Sequence, residues 1–166
     1  AAASAGAYGR YGGATHTTIT TAPSFSDGLE GVVLPSAVAA ASKAGTAAFL
    51  STKGNAFSTR TAGYIIQEHF LPGVQNQPSG PLFGVQLSSL PTSDVNRLPI
   101  GLSADPGGLP LYRNGEMIGG IGVEFDGTYT IDPTLVGGGA TLEERVALAG
   151  EAGFAPPKKI RADRIF

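Results

Sequence analysis

The spacing of apolar positions changes several times along the chain, and each change marks an element. After Pro35, the run Ser36-Ala37-Val38-Ala39-Ala40-Ala41-Ser42-Lys43-Ala44-Gly45-Thr46-Ala47-Ala48-Phe49-Leu50 is dominated by the best helix former, and Pro35 suits a first turn, so a helix is predicted. Its small side chains, with Gly45 in the middle, suit close packing of its backbone against a sheet or another helix. Ser58 and Thr59 cap a second, shorter helix that runs through Tyr64, Ile65, Ile66, Gln67, Glu68, His69 and Phe70 and ends at Pro72-Gly73. Two apolar runs, Leu109 to Tyr112 and Met117 to Phe125, flank Asn114-Gly115. That dipeptide supplies the two positive φ angles of a type I′ turn, and the whole reads as a β-hairpin. Thr141-Leu142-Glu143-Glu144 has the spacing of a capping box, and Leu142, Val146 and Ala149 lie on one side of the helix that follows, which stops near Gly150 or Gly153.

The remaining segments lack such patterns. Ala1 to Asp27 is rich in Ala, Gly, Ser and Thr, and only His16-Thr17-Thr18-Ile19-Thr20 has a strand-like composition, so this part reads as an arm or loop. Prolines recur from Pro72 to Pro110, leaving Leu82-Phe83-Gly84-Val85-Gln86-Leu87 as the one strand expected in a long ordered loop region. The tail from Pro156 to Phe166 has no period and is expected to lie extended on a surface. The organisation is therefore an N-terminal arm over 1–28, a domain over 29–155 and a tail over 156–166.

Composition narrows the function classes. With 25 glycines and 12 prolines among 166 residues, long helical bundles and coiled coils are disfavoured. The charged fraction is 14% and the net charge −2, so the surface steers no strongly charged partner. The basic residues are scattered except for Lys158, Lys159, Arg161 and Arg164, which have Glu151 and Asp163 nearby, and no nucleic-acid partner is expected. No run of 18 apolar residues exists to form a membrane-crossing helix. The lack of cysteine excludes disulfides, thiolate metal sites and cysteine nucleophiles. The small-residue opening Ala1-Ala2-Ala3-Ser4-Ala5-Gly6-Ala7 suits a mature end left by a signal peptidase, which points to a periplasmic or extracellular location; a trimmed cytoplasmic fragment looks the same.

Candidate chemistry is sparse. Gly119-Gly120-Ile121-Gly122 falls within a strand rather than at the opening of a helix, which disfavours a dinucleotide site and favours close approach by a helix or another backbone. Only His16 and His69 are available as imidazole ligands, and no Gly-x-Ser-x-Gly elbow is present. Asp94, Asp105, Asp126 and Asp132 sit mostly beside Pro, Gly or Ser, where turn bonding accounts for them. His69 closes an apolar helix beside Phe70, with Tyr64 about one and a half turns upstream. A neutral imidazole there could ligate a haem iron while Phe70, Ile65 and Ile66 shield the porphyrin. On the residues alone, a histidine favourably placed at a helix C-terminus is the favoured alternative.

A larger pattern joins these pieces. Lys43-Ala44-Gly45-Thr46-Ala47-Ala48-Phe49, then Gly101-Leu102-Ser103-Ala104-Asp105-Pro106-Gly107-Gly108-Leu109-Pro110-Leu111-Tyr112-Arg113-Asn114-Gly115-Glu116-Met117-Ile118-Gly119-Gly120-Ile121-Gly122-Val123, then Glu143-Glu144-Arg145-Val146-Ala147-Leu148-Ala149, resembles the GlcG/HbpS-like haem-binding family. The resemblance spans Leu29 to roughly Phe154. It implies an α/β (α+β) fold, a profilin-like antiparallel sheet flanked by helices, here with a long proline-rich insertion. It further implies a soluble haem- or tetrapyrrole-binding protein without robust turnover, but its shared motif fixes no ligand; the candidate site, with His69 as the metal ligand and Tyr64, Phe70 and Arg60 beside it, comes from the residues themselves, in an insertion between Ser51 and Gly107 that compact members lack. Compact members open with a helix and strand that have no counterpart in Ala1 to Gly31. Either the chain is incomplete or another chain supplies them.

Two other classes stand beside this expectation: a structural or assembly subunit that keeps the fold without a ligand, and an enzyme of small-molecule metabolism in which Asp105 and Arg60 are polar anchors. Few charges, an arm and a tail together predict a homo-oligomer. In it, a partner's Thr17 to Thr21 segment would add to the edge of the strand Met117 to Phe125.

Overall fold

The computed structural model describes residues 13–20, 31–66, 79–83, 99–132 and 139–162. Among these the chain is mixed α/β. Its strands are β1 (His16–Ile19), β2 (Val33–Pro35), β3 (Gly108–Arg113), β4 (Glu116–Gly122) and β5 (Thr128–Tyr129), and its α-helices are α1 (Ser36–Leu50), α2 (Thr59–Ile65) and α3 (Leu142–Gly150). A 3₁₀ turn follows at Lys158–Ile160.

The hairpin forms where the Asn-Gly dipeptide predicts it. Asn114 and Gly115 take φ angles of 52° and 79°, the left-handed pair of a type I′ turn. β3 and β4 pair antiparallel from Gly108↔Gly122 to Arg113↔Glu116, with a register shift between Leu111 and Tyr112. α1 lies across this hairpin because β3 and β4 present no side chain where its backbone passes. A Cβ on Gly120 would run into the carbonyl oxygen of Ala44, and one on Gly122 into that of Ala40. The glycine-rich strand thus serves close helix approach, the alternative favoured over a ligand role.

The strand-like segment near the N-terminus is not a free arm. β1 pairs antiparallel with β2, Thr17 opposite Leu34, and parallel with β5, Thr18 opposite Thr128. Both edges of β1 are therefore occupied within the same chain, while Thr21, the end of the segment anticipated for a partner's edge, lies outside the described residues. The C-terminal tail is likewise built in: Ala56 donates to the Ile160 carbonyl at 2.8 Å, Ala162 donates to the Ala56 carbonyl at 3.0 Å, and Ile160 packs with Ala56 and Tyr112.

α2 begins as predicted, with Ser58 accepting a hydrogen bond from the Thr61 N–H, but it ends at Ile65, earlier than the sequence suggests. Gln67 to Phe70 lie outside the described residues. Of the strand expected over Leu82 to Leu87, Leu82 and Phe83 belong to a turn and the rest lies outside the described residues.

α3 carries the full capping box: the Thr141 side chain accepts from the Glu144 N–H and the Glu144 carboxylate accepts from the Thr141 N–H. Its orientation, however, inverts the apolar pattern. Leu142 is 52% and Val146 45% exposed, whereas Glu143 and Glu144 are buried. Thr141→Ala is expected to lower stability by about 1 kcal/mol in urea unfolding, the usual worth of an N-cap.

Candidate functional site

Two acidic side chains turned inward need cations, and α1 and α2 each supply one. Lys43 stands four residues after Ala39 and four before Ala47, in the middle of the buried stripe of α1, and is fully buried. Its neighbours on that stripe, Ser42 and Thr46, hold the irregular segment that brings an acid to it. Ser42 Oγ accepts from the Ile100 N–H at 3.1 Å, and Thr46 Oγ1 accepts from the Ser103 N–H at 2.8 Å. Asp105 follows two residues later.

Around Lys43 Nζ lie Asp105 Oδ2 at 2.5 Å, Glu124 Oε2 at 2.6 Å and Glu143 Oε2 at 2.5 Å, together with the carbonyl oxygens of Pro106 at 2.8 Å and Val123 at 2.9 Å. Glu124 comes from the chain just after β4 and Glu143 from the first turn of α3. The other Glu143 oxygen accepts from the Phe125 N–H at 2.7 Å. One carboxylate oxygen from each acid lies within 4.8 Å of the others, and the position a cation would take among them is held by the ammonium. Burial pulls the ammonium towards neutrality, yet the three acids outweigh it and hold Lys43 above its ordinary value. A protonated, buried amine has no lone pair to offer, so Lys43 is no nucleophile here. Burial raises Glu143 despite the pull of Lys43, and raises Asp105 well above the carboxylate range. Tyr129, whose hydroxyl pairs with Ser103 Oγ at 2.6 Å, is pushed up to about 12 by burial.

The second cluster is centred on Arg60 of α2. Its Nε and Nη2 grip Glu144 in a two-point pair at 2.8 and 2.7 Å, and Nη1 donates to Asp132 Oδ2 at 2.6 Å. Tyr64, one turn further along, donates its hydroxyl to the Asp132 carbonyl at 2.5 Å. Burial pushes the Tyr64 hydroxyl up to about 12, with the Asp132 carboxylate adding to the effect. Glu144 therefore caps α3 and pairs with α2 at once.

These arrangements decide how the anticipated site residues fit a haem. Arg60 and Tyr64 are 5% and 3% exposed, and their polar groups are engaged by Glu144 and Asp132. His69 and Phe70 lie outside the described residues. Asp105 and Arg60, the paired anchors of the enzyme reading, belong to different clusters, and each is engaged internally. Residue chemistry alone singled out neither Lys43 nor Glu124 nor Glu143. A lysine on an otherwise small-residue buried stripe was the available signal, because a charge there requires acids nearby.

Apart from these clusters, an open groove of about 500 Å³ runs beside the hairpin turn, lined among others by Tyr112, Arg113, Phe154 and Pro157. It shares no residue with either cluster. No family model matches the chain, and no curated protein or solved structure is significantly similar to it.

Proposed function

We propose that the chain is a haem- or tetrapyrrole-binding protein of the GlcG/HbpS-like kind, in which His69 is the iron ligand and Phe70 part of the shielding wall. One observation carries this reading. The Lys43 helix, the Asp105 to Gly108 turn with its hairpin, and the Glu143-Glu144 helix are the three separated segments on which the resemblance rests, and they meet at one buried charge centre. Segments that share a sequence pattern because they share a core are expected to do this. A bound tetrapyrrole would supply a ligandable iron. The chain's own part is to hold the segment that carries the ligand. Arg60 and Tyr64, locked to Glu144 and Asp132, fix α2, whose chain continues towards His69, and are positioning residues.

A second reading, a structural or assembly subunit that keeps the fold without a ligand, is favoured by the same locking, since two of the four anticipated site residues have no free polar group for a guest. Exposed Ile118, Leu142, Val146 and Phe154 support self-association in either case.

Titration with haemin separates the two. The haem reading expects a Soret band that shifts on binding and is lost in His69→Ala, while Tyr64→Phe, which removes only an internal hydrogen bond, leaves the band position unchanged. A wild-type titration without a shift, or one that His69→Ala leaves intact, overturns the haem site.

A further inference from the structure

The buried charge centre does not balance as drawn. Lys43 has three ammonium hydrogens, and the Pro106 carbonyl, the Val123 carbonyl and Glu143 Oε2 are placed to accept them. Asp105 Oδ2 and Glu124 Oε2 lie 2.5 and 2.6 Å from the same nitrogen and compete with those three acceptors for its hydrogens. Three carboxylates around one ammonium leave an excess of two negative charges. Among the described residues at this centre, Lys43 from α1, Asp105 from the segment before β3, Glu124 from the chain just after β4, Glu143 from α3 and Tyr129 from β5, there is no second cation. Three buried carboxylates that share one ammonium repel one another unless a further positive charge or a proton offsets the excess.

We propose that Asp105 is a neutral carboxylic acid in the folded protein, its Oδ2–H directed at Glu124, so that one proton serves as part of the fold. The atoms suit this assignment. Asp105 Oδ1 is already committed as acceptor of the Thr130 N–H at 3.1 Å, which leaves Oδ2 to carry the hydrogen. The rise of Asp105 above the carboxylate range, caused first by burial and reinforced by Glu124, agrees with the geometry. The proton joins the segment before β3 to the chain just after β4, and the fold at this centre becomes pH-sensitive.

The sign follows from linkage. A group whose folded value is raised adds stability that is complete below its unfolded value and is lost as pH rises through the folded value. Wild-type protein is expected to lose unfolding midpoint as pH rises above the ordinary carboxylate range. Asp105→Asn imitates the neutral acid, since its Oδ1 accepts from Thr130 and its amide donates to Glu124. It should keep the midpoint near that of wild type at the acid end of the pH series and flatten the pH dependence. A strong loss in Asp105→Asn at the acid end, or an unchanged slope, overturns the proposal.

A measurement on the unmutated chain avoids any folding failure. The ¹³C side-chain carboxyl resonance of Asp105 should stay at the protonated position above the pH at which ordinary carboxyls have titrated; a titration in the ordinary carboxylate range overturns the assignment. So does a midpoint lowered by EDTA, which would mean that a divalent metal ion supplies the missing charge.

Discussion

Lys43→Met is expected to be the most damaging single change at the buried charge centre, with a loss of about 3–5 kcal/mol in urea unfolding at neutral pH. The side chain of methionine fills much the same volume, so packing is nearly kept, while Asp105, Glu124 and Glu143 lose the only cation beside them among the described residues. Water does not compensate, because Lys43 is fully buried and the acids nearly so. The loss should depend on pH in a defined direction. Asp105 and Glu143 are already raised in the presence of Lys43, and without it the ionised forms become costlier still. The variant should therefore regain stability as the solution is acidified towards about pH 4, where carboxyls protonate in the unfolded chain as well. Urea midpoints at neutral and acid pH decide the matter: equal losses at both would mean that packing, not charge, is the role of Lys43.

Gly122→Ala is the second large effect, about 3 kcal/mol or more, and it acts through the backbone. The added methyl group would collide with the Ala40 carbonyl oxygen of α1, and neither partner is a flexible side-chain end that can swing away. α1 would have to lift from β4, and the lift would be transmitted to Lys43 three residues further along the helix. Gly119→Ala is the matched control. It lies in the same strand, its added Cβ meets open space, and none of Gly119, Gly120 and Gly122 has a positive φ. That change should stay within about 0.5 kcal/mol of wild type or stabilise slightly, by lowering the entropy of the unfolded chain. Similar losses for the two variants would show that strand propensity, rather than helix approach, governs this strand.

The legible parts of the chain were those decided within a few residues. Asn114-Gly115 can supply both left-handed angles itself, Thr141 and Glu144 satisfy each other's backbone, and the alanines of α1 prefer a helix wherever they are placed. These features survive transfer between folds because their energies are local. The strand glycines were legible in kind, since a missing Cβ implies close approach, but not in partner.

The site was much less legible. In α3 the apolar spacing of Leu142 and Val146 points to one face, yet the opposite side is buried, because Glu143 and Glu144 each gain a buried cation from a different helix. Arg60 and Tyr64 read as candidate ligand contacts and turned out to be committed to Asp132 and Glu144, 72 and 84 residues distant from Arg60 in the chain. β1 reads as part of an arm, but β2 and β5 close on it from both sides.

What the sequence determined by itself was α1, the hairpin turn, the capped start of α3 and the mixed α/β character of the chain. Only the tertiary structure decided which side of α3 faces inward, and which acids share Lys43 and which share Arg60. The reason is physical: a turn or a cap is stabilised by neighbours along the chain, whereas a buried charge is tolerable only when residues 60 to 100 positions away arrive to neutralise it.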